Sequence, residues 1–263
     1  MKIFDCFTFF NELEILELRL MTLDPLVDHF VLVEADLTHT GKPKEFIFEA
    51  NKDRFSQYLN KIIYVKVQNL PDYSINDIWK AENFQRNCIV RGLDGVIKFK
   101  DKVIISDLDE IPNPDTIVAN LKTNDPVTMV QYLFYYHVNC LQNQLWSGSI
   151  LATYPYYGTP QQLRNRSRRG ENAVSNGGWH YSYMGGPQRI KEKVDNIAES
   201  HLIINQVGGV EQITERVNTQ KDLWNRTEDY AKKQLVDIFQ NDMAPKCMKE
   251  WLKMHPDFYF GEV

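Results

Sequence analysis

The sequence predicts an α/β fold, a mostly parallel, Rossmann-like sheet flanked by helices. Three observations carry this expectation. Short uninterrupted apolar runs recur through the first half, as in strands covered on both faces. Segments of helical period separate them. Several runs end on carboxylates, and ligands of doubly wound sheets bind outside the carboxyl ends of the strands.

Ile3 to Phe7 is the first run and reads as a strand. Asn11 stands three residues before Glu14, the spacing of a helix capping box. Leu13, Leu16, Leu20 and Leu23 follow at helical spacing. Asp24-Pro25 ends that helix, because the residue before proline avoids the α region. His29 to Glu34 and Lys61 to Val67 are the second and third strands. Trp79 to Arg91 reads as a helix, and Lys102 to Ser106 as the fourth strand. After Pro126 the character changes. VTMVQYLFYYHVN reads as a strand, and residues 139–187, rich in Tyr, Trp, Asn, Gln and Gly, read as loops. Helical propensity returns from Gln188 and again in TEDYAKKQLVDIFQ. With no repeat and no low-complexity linker, one domain is expected, closing with a helical region over 206–263.

The chain's 263 residues suffice for a substantial core. Its 43% hydrophobic and 25% charged residues are ordinary for a globular protein, so global disorder is excluded. A net charge of −5 argues against nucleic acid as a partner. Cys6, Cys88, Cys140 and Cys247 are far apart in sequence and form no C-x-x-C, so neither a zinc ribbon nor a dense disulfide framework is expected. Acidic residues interrupt the N-terminus before an apolar signal region forms, and no run reaches the ~20 residues of a membrane helix. The expectation is a soluble, cytoplasmic protein with free thiols.

The stretch DKVIISDLDEIPNPDTI raises the functional question. An apolar strand runs into Asp107, Asp109 and Glu110, although charged side chains are rarely buried unless paired or bound to metal. In an extended chain the carboxylates at 107 and 109 point the same way and repel unless a cation separates them. Oxygen ligands suit Mg²⁺ or Mn²⁺, which leave positions open for phosphate oxygens. A solvated turn before a helix is the plain alternative, and Asn113-Pro114-Asp115 does read as a helix start. Two chemistries use such an arrangement: a nucleotide-sugar glycosyltransferase, and a phosphohydrolase with Asp107 as nucleophile. The phosphohydrolase pattern places its D-x-D-x-[TV] on the first strand, whereas here Glu110-Ile111 follows more than a hundred residues in. A carbohydrate- or nucleotide-binding module without turnover is the non-enzyme reading.

Five segments in order, DCFTFFNELEILELRL, FVLVEADLTHTGKPK, WKAENFQRN, IISDLDEIP and GGWHYSYMGG, resemble glycosyltransferase family 17 over roughly residues 1–205. The resemblance implies a GT-A fold with a nucleotide-sugar half over 1–125 and an acceptor-side, metal-closing half over 126–205. It also implies a UDP-sugar donor, most often UDP-GlcNAc, a saccharide or glycoconjugate acceptor, Mn²⁺ or Mg²⁺, and inversion at the anomeric carbon. The family's animal members carry a membrane anchor, while this chain starts at the first strand motif.

On that resemblance, Asp107 and Asp109 are metal ligands, Asp107 also faces the diphosphate, and His180 closes the metal site. Glu34 meets the uridine, and Thr40 and Lys42 of the THTGK loop lie near the nucleotide. Arg86 and Lys193 neutralise phosphate charge, Arg86 through the planar fork that suits diphosphate. An inverting transferase needs a base for the acceptor hydroxyl. Glu110, Glu171, Asp195 and Glu199 all qualify by residue type, and Glu110 is taken first for its place beside the metal carboxylates. Tyr135, Tyr136, Trp146, Tyr154, Tyr156, Tyr157 and Tyr181 offer faces for sugars or for the core. Arg164, Arg166, Arg168 and Arg169 form a basic cluster that suits an anionic acceptor or an exposed loop. The C-terminal KCMKEWLKMHPDFYF suits either peripheral contact with an anionic membrane surface or docking on the domain.

Overall fold

A computed structural model describes residues 1–226, 233–240 and 243–262. Strands β1 (Ile3–Phe9), β2 (His29–Ala35) and β3 (Ile62–Val67) alternate with helices α1 (Leu13–Leu23) and α2 (Ile47–Asn51). Helices α3 (Lys80–Asn87) and α4 (Ile89–Leu93) lead into β4 (Lys102–Asp107). The short β5 (Glu110–Pro112) and α5 (Pro114–Ala119) follow, with Asn113 capping the amide of Asp115 as expected. The second half comprises β6 (Val127–Tyr135), β7 (Cys140–Thr153), α6 (Pro160–Arg168), β8 (Ala173–Val174) and β9 (Gly178–Ser182). Helices α7 (Pro187–Asn196), α8 (Ser200–Val207) and α9 (Val210–Asn218), strand β10 (Lys233–Leu235) and a last helix, Met248–Met254, complete the described elements.

The sheet runs β3-β2-β1-β4-β7-β6-β9-β5. Its first four strands are parallel, with Cys6 beside both Val31 and Ile105. Side chains alternate between faces with the period of two that a strand imposes. Phe7, Phe30, Leu32 and Ile104 enter one core, and Phe4, Cys6, Val31, Val33, Val103 and Ile105 the other. That two-sided burial, worth about 1.5–3 kcal/mol per large apolar side chain, is why these strands read as continuous apolar runs. Beyond β4 the direction changes. β7 is antiparallel to β4 and β6 to β7, while β9 runs parallel to β6. The three-residue β5 then pairs with β9, setting Glu110 opposite His180. Gly178 makes this return feasible: its φ is +129°, and a Cβ there would stand 2.1 Å from the Ile111 carbonyl oxygen.

Three expectations change. The Asn11–Glu14 capping box does not form, because Glu14 is taken by Arg54 and Arg189 and the helix starts at Leu13. Residues 139–187 are not loop-rich: the polar and aromatic stretch is the fourteen-residue β7, followed by α6 and β9. β7 runs on beyond its pairing with β4, with its first residues between β6 and β10 and several side chains of its middle exposed, which explains its weak apolar pattern. The helix expected in TEDYAKKQLVDIFQ lies partly outside the described residues, and 233–235 is strand.

The C-terminal helix turns its apolar side inward. Met248, Trp251 and Leu252 are buried, and the Trp251 indole donates to the Glu14 carbonyl. Those side chains serve the core rather than a membrane surface, so the membrane reading of this segment is corrected. No described helix is long and apolar enough to cross a membrane.

Candidate active site

A cavity of about 690 Å³ opens at the carboxyl ends of β1, β2 and β4, within the range of roughly 300–1,000 Å³ typical of small-molecule sites. Its floor is the turn after β4, and α3, α6, α7 and the start of α8 form its walls.

The floor is fixed from below. Arg19 of α1 is fully buried and forms a bidentate pair with Asp5 of β1, at 2.6 and 2.8 Å. Its remaining donors reach the carbonyls of Asp107, Leu108 and Glu110, at 2.9, 3.0 and 3.1 Å, and Ser106 Oγ at 2.6 Å. Leu108 packs into the core, so the chain turns at 108–109 rather than continuing extended. The two aspartates consequently keep different company, contrary to the expected side-by-side pair.

Asp107 receives two guanidiniums: Arg86 from α3 at 2.7 Å and Arg164 from α6 at 2.8 Å. Burial pushes its carboxyl up, but the two positive charges outweigh that and hold it far below the usual carboxylate range. Asp109 faces Lys193 Nζ at 2.8 Å and His180 Nε2 at 3.5 Å. Burial again raises its carboxyl, and the charges of Lys193 and His180 prevail and lower it. Burial opposes the charge on Lys193, while Asp109 and Glu12 raise its pKa well above the ordinary lysine value. Arg86 also bonds Glu82 and Gln161.

The fit of a divalent ion can be judged from these atoms. Two ligands on one Mg²⁺ or Mn²⁺, each about 2.0–2.2 Å from it, stand roughly 3 Å apart at right angles. The 3.5 Å between Asp109 Oδ1 and His180 Nε2 suits such a pair. Asp107 is committed to its arginines, and no group of three potential ligand side chains assembles among the described residues. The donor set fits an ion held by two side chains, with its other positions left to water and phosphate. Two buried nitrogens, His180 Nδ1 and Arg86 Nε, also lack a hydrogen-bond partner among the described residues, unusual for buried polar atoms.

Other expected residues lie elsewhere. Glu110 is fully buried and outside the cavity lining. It accepts from the Asp107 amide, the Trp146 indole and Arg164. That is the place of a structural anion, which corrects its reading as the base. Glu34 is buried too: it accepts from Lys44 and Tyr64 and from the amides of Ile47 and Phe48 at the start of α2. The short helix claims the strand-end acid, so the uridine contact is corrected. Thr40 bonds Thr38, and Lys42 reaches the Asp195 carbonyl. The loop residues that line the cavity are Leu37, Thr38, His39 and Lys44 instead.

The arginine cluster is split by helix geometry. Residues at i and i+4 share a face, so Arg164 and Arg168 point to the cavity. Arg166 and Arg169 pair with Glu171 outside it. Of the aromatics singled out, Tyr135 and Trp146 line the cavity. Tyr181 is core and Tyr157 is 96% exposed. Sequence reasoning missed Arg19, the buried role of Arg164, and Gln161. Only an arginine within an apolar helical period, LEILELRLMTL, could have flagged Arg19.

A family model described as glycosyltransferase family 17 matches residues 1–245. The human and rat proteins named beta-1,4-mannosyl-glycoprotein 4-beta-N-acetylglucosaminyltransferase are each 30% identical to this chain over 115 residues. The mouse protein of that name is 29% identical. Each match covers 41% of this chain and 21% of the relative, so the chain matches about a fifth of the length of these relatives.

Proposed function

This chain belongs to glycosyltransferase family 17, and from that premise we propose that it transfers a sugar, N-acetylglucosamine, from a UDP-sugar to a saccharide hydroxyl with inversion and with Mn²⁺ or Mg²⁺. The observation that carries the reading is the Asp109–His180 pair on the cavity floor, with Lys193 against it. The choice of GlcNAc rests on the names of the relatives.

The charge balance of the cavity supports a cation. Its carboxylates are Glu12, Asp77, Glu82, Asp107, Asp109 and Glu199, and its cations are Lys44, Arg86, Arg164, Arg168 and Lys193. The acids outnumber the bases even before Glu34 and Glu110 claim Lys44 and Arg164 from below. A nucleoside diphosphate is itself anionic and enters such a cavity with a counter-ion. Asp109 and His180 would hold the ion, which when bound supplies a Lewis acid for the diphosphate oxygens.

The acceptor oxygen forms its bond to the anomeric carbon as the bond to the β-phosphate oxygen breaks. The electron pair leaves with UDP, and the hydroxyl proton passes to a base. Of the four carboxylates considered for this role, Glu199 alone lines the cavity. Glu171 is held by Arg166 and Arg169, and Asp195 by Lys191. Burial, helped by the charges of Glu82 and Asp107 and opposed by a backbone hydrogen bond, raises the Glu199 carboxyl above its ordinary value, which suits a proton acceptor. Asp107 accepts guanidinium bonds on both oxygens and is not free to attack phosphorus, which disfavours the phosphohydrolase.

Calorimetric titration of UDP-GlcNAc with Mn²⁺ and then with EDTA, on wild type and Asp109→Ala, tests the reading. Binding that needs metal and is lost in the variant is expected. Equal binding by both proteins in EDTA would overturn the metal assignment.

A further inference from the structure

Every cavity-lining lysine and arginine but one has a carboxylate within ion-pair distance. Arg86 and Arg164 hold Asp107, Lys193 holds Asp109 and Lys44 holds Glu34. Arg168, at the end of α6, has no such partner among the described residues. Its guanidinium lies 3.7 Å from the centre of the Trp146 ring, a stacking that fixes a cation without neutralising it.

Trp146 is anchored in turn. Its indole nitrogen donates to Glu110 at 2.5 Å, and its ring packs 4.7 Å from that of His180. Arg168 is therefore placed one ring away from the Asp109–His180 pair. It sits one helical turn beyond Arg164, whose guanidinium rests on Asp107. Arg168 is an exposed residue whose guanidinium is shielded on one side by the indole; that shielding and the charge of Arg164 depress its pKa, while Glu110 and Asp107 oppose the shift. A guanidinium held by stacking at the cavity wall, open to the cavity and without an ion-pair partner among the described residues, has donors free for an incoming anion.

We propose that Arg168, propped on Trp146, takes the β-phosphate of the nucleoside diphosphate. This rests on the sugar-nucleotide reading above and adds a residue to it. The planar fork of donors matches two phosphate oxygens at once. When the bond from the anomeric carbon to the β-phosphate oxygen breaks, the electron pair goes to that oxygen. Arg168 then meets a larger negative charge than in the intact donor, and the contact favours departure. The ring of Trp146 keeps the fork in place before the ligand arrives, so little side-chain entropy is lost on binding.

The test is calorimetric titration of uridine, UMP and UDP in Mn²⁺ into wild type, Arg168→Gln and Arg168→Lys. Arg168→Gln should weaken UDP by roughly ten- to a hundredfold, the loss of a charge-assisted bond, and leave UMP and uridine as in wild type. Arg168→Lys keeps the charge and loses the fork, and should restore part of the UDP affinity. A merely structural role would weaken all three ligands together, and that pattern would overturn the proposal, as would undiminished UDP binding by Arg168→Gln. If wild type binds none of the three, the sugar-nucleotide reading itself falls and this assignment with it. Binding of UDP that ignores Arg168 leaves the reading intact and removes only the residue.

Discussion

Lys193 Nζ stands 2.8 Å from Asp109 Oδ2, on the same carboxylate whose other oxygen faces His180. Lysine and the divalent ion proposed for this site would therefore compete for one anion. Lys193→Met should raise the affinity of the ligand-free protein for Mn²⁺ by about tenfold, since removal of a buried charge partner is worth several kcal/mol and part of that returns as metal binding. The same variant should bind UDP more weakly. Titration of Mn²⁺ followed by its paramagnetic resonance checks the first effect, and an unchanged affinity would sink the idea.

Glu199 sets the pH dependence if it takes the acceptor proton. Turnover requires its charged form, so the rate falls as pH drops through its pKa. With that pKa raised by burial, the acid limb of kcat should sit at higher pH than an ordinary glutamate would give. Glu199→Gln should lower kcat by about 10²–10⁴-fold with UDP affinity retained. A glutamine variant with normal turnover would return the search to other groups.

Arg19 belongs to the fold more than to the chemistry. Arg19→Met leaves Asp5 charged and buried and deprives three turn carbonyls of their donor. Loss of about 3–5 kcal/mol is expected, measured by guanidinium unfolding. Adding Asp5→Leu should recover only part of it, because the turn loses its arginine donor and only the Glu110 carbonyl keeps another side-chain donor, Ser149 Oγ. Full recovery would show that the turn does not depend on this arginine.

Gly178→Ala should cost about 2 kcal/mol or more. Its φ of +129° disfavours a side chain, and the new methyl would meet backbone at 2.1 Å. The strand it opens carries His180 opposite Glu110, so metal-dependent donor binding should weaken together with thermal stability. A variant that melts like wild type would mean the β5–β9 pairing tolerates displacement.

The parallel half of the fold was legible because each strand is apolar on both faces, as in Val31 and Leu32, which enter opposite cores. β7 was not, since it runs beyond β4 with a buried Gln142 and with Asn143 and Gln144 exposed, which breaks the apolar run. In the site, Asp107, Asp109, Arg86, His180 and Lys193 could be named from motif and order, and all five line one cavity. Glu34 and Glu110 misled because an acid at a strand end has the same sequence signature whether it faces a ligand or a helix start. Arg164 and Arg168 fell within a run of arginines, and only the helix register separates those that enter the cavity from those that pair with Glu171.

The anchoring of the DLDE turn by Arg19 divides the site for anyone wishing to redesign it. Arg19 fixes the main chain of this turn at three carbonyls, and the side chains of Leu108 and Glu110 are buried beneath it, so substitutions at those two positions cost folded protein, whereas Asp109 presents its carboxylate to the cavity. Gln161, Asn165 and Arg168 on α6, and Asn196, Ile197 and Glu199 from the end of α7 to the turn before α8, also line the cavity and do not hold the turn. A library aimed at a new donor or acceptor belongs on those positions, with the turn and its buried partners left as they are.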